Sequence, residues 1–191
     1  GDGFENFVQK YSFLGTNTAN GEKAVKGDAK KVSMNYPNEI IDQIFLGNIQ
    51  QVKEKSILQT LKITHILNTA EEIDVSLEEL KQIGVAYHKL PIKDFSDFDI
   101  TQFFGEAYKI IVAALESDAN NNILIHCARG KCRSVAIVTM YLMKKNQWGF
   151  KKAIDFISRK NDSINLNLGF EEALEKFEKS GFLFQETTVQ Q

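Results

Sequence analysis

From residue 40 onward the chain alternates short apolar runs with longer segments of 3.6-residue period, and that alternation restricts it to very few folds. The run Gln43-Ile-Phe-Leu-Gly47 reads as a strand, the stretch from Gln50 to Lys62 as a helix, and Ile63-Thr-His-Ile-Leu-Asn68 as the next strand. The spacing Ser76-Leu-Glu-Glu79 opens a helix over Ser76 to Ile83, ended by Gly84. It leads into a strand from Val85 to Leu90, which Pro91 closes. A helix from about Ile100 to Ser117, a strand over Asn122 to His126, and helices over roughly 134–146, 149–160 and 168–180 complete the series. Strands separated by helices pair in parallel, because only a crossover connection returns the chain in the same direction. The expected fold class is α/β, a central, mostly parallel sheet flanked by helices.

The length of 191 residues, with 43% hydrophobic composition and 14 Phe, suits one core. Residues 1–36 are rich in Gly, Asn, Thr and Lys without sustained period and read as an N-terminal extension, with the folded domain over 37–181 and a tail over 182–191. Phe4, Phe7, Val8, Tyr11 and Leu14 sit at helical spacing, which leaves a docked amphipathic helix and a partly disordered tail both open. A formal charge of -2 gives the whole molecule no electrostatic reason to seek nucleic acid or an anionic membrane. No apolar run approaches the ~20 residues of a membrane span, and the start lacks a leader pattern. Glu5 occupies the Ser/Thr position of a myristoylation motif, so no lipid anchor is expected. A soluble protein of the cytoplasm, with the nucleus also open, is the expectation. The histidines His65, His88 and His126 are scattered and no Cys-x-x-Cys occurs, which predicts neither metal nor cofactor.

Chemistry concentrates in Ile123-Leu-Ile-His-Cys-Ala-Arg-Gly-Lys-Cys-Arg-Ser134, a buried strand, a glycine-bearing loop and a helix start in succession, with a thiol at the strand's carboxyl end. Ligands bind there in open α/β sheets. Backbone N–H groups from Ala128, Arg129, Gly130, Lys131, Cys132 and Arg133 can converge on a tetrahedral anion, backed by the helix dipole. The same groups stabilise a thiolate on Cys127, whose free pKa of about 8.5 would otherwise keep it protonated. Arg133 can curl over the loop and offer two parallel donors to phosphate oxygens, and Ser134 can donate to the sulfur. His126 reads as a core residue that steadies the loop, and His65 and His88 as structural.

His126-Cys127-x-x-Gly130-x-x-Arg133-Ser134 resembles the signature of the protein tyrosine phosphatase superfamily, in particular its dual-specificity branch. Phe45-Leu-Gly47, Ile63-Thr-His-Ile-Leu-Asn68, Leu90-Pro-Ile-Lys-Asp94, Tyr141-Leu-Met143 and Asn167-Leu-Gly-Phe170 are similar to that branch in order and spacing, most closely to MAP-kinase phosphatase catalytic domains. The resemblance makes 37–181 a catalytic domain. It implies metal-free hydrolysis of phosphotyrosine, phosphoserine and phosphothreonine through a cysteinyl-phosphate on Cys127, with a phosphorylated protein, a kinase among the candidates, as substrate. The absence of a long recognition loop implies a shallow cleft.

A departing oxygen needs a proton, and Asp94, Asp97 and Asp99 are the candidate donors. Asp99 with Gln102 has capping-box spacing and Asp97 reads as loop solvation, so the acid is expected at Asp94, in the Pro-x-x-Asp context of the family. Two features depart from the usual loop. Arg129 and Lys131 resemble the basic pattern of phosphoinositide and inositol-pyrophosphate phosphatases, which keeps such a substrate as the alternative. The spacing Cys127-x-x-x-x-Cys132 resembles low-molecular-weight tyrosine phosphatases and marks Cys132 as a redox candidate, able to close a protective disulfide with Cys127. A small loop filler is the other reading of Cys132.

Overall fold

The structure, a computed structural model, describes residues 35–185, so the helical spacing read over residues 4–14 lies outside the described residues. The chain divides into Gly1–Asn35 and Tyr36–Gln191, and the architecture described belongs to the second. Its strands are β1 (Asn38–Ile41), β2 (Ile44–Asn48), β3 (Ile63–Asn68), β4 (Ala86–Lys89) and β5 (Asn122–Cys127). They form one sheet in the order β1-β2-β5-β3-β4. All pairings are parallel except that of β1 with β2. This is the mostly parallel α/β sheet the sequence rhythm predicts. The edge hairpin β1 was not legible, because Gln43 turns it at φ 70 without a glycine.

The helices are α1 (Ile49–Lys53), α2 (Lys55–Thr60), α3 (Leu77–Gln82), α4 (Phe104–Ser117, after a 3-10 turn over Ile100–Phe103), α5 (Arg133–Asn146), α6 (Phe150–Ser158) and α7 (Leu168–Lys179). The single helix expected from Gln50 to Lys62 is two, broken at Glu54, which is extended at φ -90, ψ 93. Val52 and Ile57 are both buried, yet five positions on one helix would set them about 140° apart. The break lets both face the core. At the next helix Ser76 accepts from the Glu79 N–H as its spacing predicts. The Asp99 box is only half formed: Asp99 caps the Thr101 N–H, but Gln102 donates to the Asp99 carbonyl.

β5 is buried at every position, and alternation divides its neighbours. Ile44, Leu46, Ile123 and Ile125 join the large core with Phe104, Ile111, Val135, Met140, Phe170 and Phe177 of α4, α5 and α7. Phe45 and Leu124 face the opposite side. α5 is buried from Arg133 through Met143, wedged against the sheet by α4, α6 and α7. The helix start that follows β5 is therefore fixed in place, at the centre of the sheet's carboxyl edge.

Candidate active site

The loop leaving β5 is pinned on every side before any functional side chain is considered. Thr69 donates its N–H (2.8 Å) and hydroxyl (2.9 Å) to the His126 carbonyl, Ile49 donates to the Ala128 carbonyl (3.4 Å), and the Asn165 N–H donates to the Lys131 carbonyl (2.8 Å). With its carbonyls engaged outward, the loop can turn its N–H groups inward. Gly130 lies at φ 72, and a Cβ there would fall 2.6 Å from the Gly47 oxygen. Only glycine meets both conditions.

Cys127 sits 2% exposed at the floor of this loop. Its sulfur accepts from the Gly130 N–H at 3.2 Å and from the Ser134 hydroxyl at 3.3 Å. Burial alone would raise the thiol's pKa. The Ser134 hydroxyl and the amides of Ser134, Cys132 and Gly130 outweigh burial and hold it below the ordinary thiol value. These donors thus stabilise the thiolate relative to that of an ordinary cysteine. Beneath it His126 is fully buried, its Nδ1 3.3 Å from the Cys127 carbonyl and its Nε2 without a partner. Desolvation pushes its pKa down to about 4. It stays neutral, which accords with a supporting rather than proton-carrying place.

Arg133 is 3% exposed, and its five N–H donors can be accounted for. Nη1 and Nη2 meet the two Glu72 carboxylate oxygens at 2.5 and 2.6 Å, and Nη1 also donates to the Ile92 carbonyl at 3.1 Å. What remains is the Nε–H and the second Nη2–H, which lie side by side on one edge of the guanidinium. Nε is buried and without a hydrogen-bond partner. An orphaned donor of this kind is costly unless an anion completes it. Glu72 was not anticipated, because it lies in an aperiodic loop beside another glutamate. Its carboxyl is held below the ordinary range, chiefly by its hydrogen bond to Arg133.

Asp94 faces the same space from the loop after β4. Its Oδ2 is 3.7 Å from Arg133 Nε, and its Oδ1 accepts from the Asn167 side chain at 3.4 Å. Asp97 and Asp99 are exposed. The Cys132 thiol and the Asp94 carboxylate share the Asn167 side-chain amide as a neighbour. Burial first, and that carboxylate second, push its pKa up to about 12. Both cysteines are free. Arg129 and Lys131 are exposed on the rim and have no ion-pair partner among the described residues. The structure therefore brings together Cys127, Arg133, Ser134, Asp94, Cys132 and the loop amides around one opening. His65 and His88 lie apart from it, on β3 and β4, their rings stacked at 6.4 Å. Among the described residues no helix is long and apolar enough to cross a membrane.

The catalytic-domain model of the dual specificity phosphatases matches residues 44–180. Dual specificity protein phosphatase 1B of Arabidopsis thaliana is 34% identical over 167 residues, 87% of this chain and 93% of that protein. Human dual specificity protein phosphatase 9 is 32% identical over 145 residues, which cover 76% of this chain but 37% of the human one. The chain thus spans just over a third of that relative. The crystal structure of DUSP15 superposes with a TM-score of 0.70 at 28% identity, over 78% of this chain and 91% of that one. A sheet with this order, a thiol and an arginine at its carboxyl edge, and likeness of this extent together make the chain a protein phosphatase of the dual specificity phosphatase family.

Proposed function

We propose that residues 37–181 form the catalytic domain and hydrolyse phosphotyrosine, phosphoserine and phosphothreonine of a protein substrate through a cysteinyl-phosphate on Cys127. The observation that carries this reading is the sulfur itself, which accepts two hydrogen bonds and stays below the ordinary thiol pKa despite being buried. The substrate phosphate would occupy the loop amides of Ala128 to Arg133, and two of its oxygens would take the open edge of Arg133. Sulfur attacks phosphorus, the ester P–O bond breaks, and the leaving oxygen takes a proton from Asp94. Since Oδ1 is tied back to Asn167, the donated proton belongs on Oδ2, the oxygen toward Arg133. Asp94 then accepts a proton from the attacking water, the S–P bond breaks, and the Ser134 hydroxyl eases departure of the thiolate. No metal takes part in this scheme. A phosphorylated kinase, in signalling in the cytoplasm or nucleus, is the substrate and setting that the likeness to MAP-kinase phosphatases favours.

A second reading is favoured by the exposed cations Arg129 and Lys131, which suit a polyphosphorylated inositol ring. Both side chains are exposed, and the likeness to dual specificity protein phosphatases keeps the phosphoprotein as the first choice. Hydrolysis of para-nitrophenyl phosphate in EDTA, wild type against Cys127→Ser, tests the mechanism, and full loss in the variant is expected. Retained activity in Cys127→Ser would move the nucleophile elsewhere, and faster turnover of inositol phosphates than of phosphopeptides would favour the second reading.

A further inference from the structure

Asn167 has three jobs that meet at one side chain. It is the N-cap of α7, its Oδ1 accepting from the Phe170 N–H at 2.9 Å. Its Nδ2 carries two hydrogens, and two acceptors lie in reach: Asp94 Oδ1 at 3.4 Å and Cys132 Sγ at 3.6 Å. Two residues earlier, the Asn165 N–H holds the Lys131 carbonyl at 2.8 Å. The start of α7 therefore grips the phosphate loop and the acid loop at once, although 35 and 73 positions separate Asn167 from Cys132 and Asp94.

A second observation shows how closely α7 is set against the acid loop. A Cβ on Gly169 would fall 1.7 Å from the Ser96 carbonyl oxygen, a backbone atom that no side-chain rotation can clear. The first turn of α7 lies directly on the segment that carries Asp94. That segment has little else to hold it, since Lys93, Phe95, Ser96 and Asp97 are all exposed.

We propose that Asn167 is a positioning residue for Asp94, which fixes the carboxyl at the distance from the phosphate loop that proton transfer requires. This rests on Asp94 being the general acid. By holding Oδ1 with an N–H, Asn167 leaves Oδ2 as the oxygen that carries the transferable proton, and by holding Cys132 it ties the acid's position to that of the cradle. Displacement of a general acid by about 1 Å is enough to cost on the order of 100-fold in rate, so a hydrogen bond of modest strength has large leverage here.

The test separates capping from positioning. Asn167→Ser and Asn167→Asp both keep an N-cap acceptor for the Phe170 N–H, and both remove the amide donor. The kcat/KM of each, which covers the steps through formation of the cysteinyl-phosphate and not its later attack by water, is compared with that of wild type and Asp94→Asn on an alkyl phosphate, whose alkoxide needs a proton, and on para-nitrophenyl phosphate, whose phenolate does not. The expected result is a fall of about 10- to 100-fold in kcat/KM on the alkyl phosphate, against a fall of under about threefold on the aryl phosphate. A merely structural role would lower thermal stability and depress both substrates alike, and that outcome, or no loss at all, overturns the proposal. If Asp94→Asn itself slows both substrates equally, the acid is another residue, and the positioning role falls with that reading. A selective loss in Asp94→Asn that neither Asn167 variant shares overturns the proposal alone.

Discussion

The phosphate loop and the acid loop face one opening and are held in different ways. From Cys127 to Ser134 the chain leaves the central strand of the sheet and enters a helix buried through eleven successive positions, with the carbonyls of His126, Ala128 and Lys131 each bonded to a different neighbouring segment. From Pro91 to Asp99 only Ile92 is buried, and Asp94 is restrained by side chains distant in sequence. The half that carries the proposed nucleophile is fixed by the fold, the half that carries the proposed acid by a few polar contacts. A rigid cradle with a lightly held acid suits the chemistry, because the phosphate must meet the same amides through both steps whereas the acid must give up a proton and take one back.

The largest effect that would break this comparison lies at Arg133. In Arg133→Lys the ammonium can neither grip Glu72 with two bonds nor present the side-by-side edge to phosphate. Losing two charge-assisted hydrogen bonds, at roughly 1.5–3 kcal/mol each, predicts a fall of ~10²–10⁴-fold in kcat/KM on a phosphotyrosyl peptide. Glu72→Gln, which leaves Arg133 its bond to the Ile92 carbonyl, is expected to cost about tenfold on the same peptide. If Arg133→Lys falls no further than Glu72→Gln, the open edge of the guanidinium is not what holds the phosphate.

Stability offers a cleaner contrast, since the two loops can be probed with single substitutions of opposite expected cost. Gly130→Ala forces a side chain into the left-handed region and against the Gly47 backbone, which should destabilise by at least ~1–3 kcal/mol. Phe95→Ala, at a side chain 62% exposed on the acid loop, should stay within about 0.5 kcal/mol. Urea midpoints measure both. Equal costs would mean that the acid loop is as firmly built into the fold as the cradle.

The same contrast decides what could be read in advance. Strand, glycine loop and helix start are consecutive in sequence, so Cys127, Gly130, Arg133 and Ser134 carried their spacing with them and the parallel sheet followed from the rhythm around them. The choice of Asp94 over Asp97 and Asp99 as the proposed acid rests on its family context. Glu72 and Asn167 were not legible, because each acts through a partner 61 or 73 positions away and neither local period nor turn chemistry encodes such a pairing. The break at Glu54 was missed for a related reason: the apolar positions on either side each fit a helix, and only their mutual phase shows that one helix cannot bury both.

Cys132 stands where the two halves touch, and the redox role proposed for it is the finest test of how they are joined. Closing a disulfide after peroxide has converted Cys127 to its sulfenic acid requires the Cys132 sulfur to attack Cys127, release water and lose its proton. With its pKa pushed up to about 12, the thiolate amounts to on the order of one part in 10⁵ at pH 7. Attack therefore runs through that small thiolate fraction, and the hydroxide that leaves Cys127 takes up the proton Cys132 has lost and departs as water. After brief peroxide treatment, dithiothreitol should restore more activity to wild type than to Cys132→Ser. The difference should widen from pH 7 to pH 9, because the thiolate fraction rises about tenfold with each pH unit below the pKa. Equal recovery at both pH values would leave Cys132 as a neutral neighbour of the acid, joining the two loops without protecting the nucleophile.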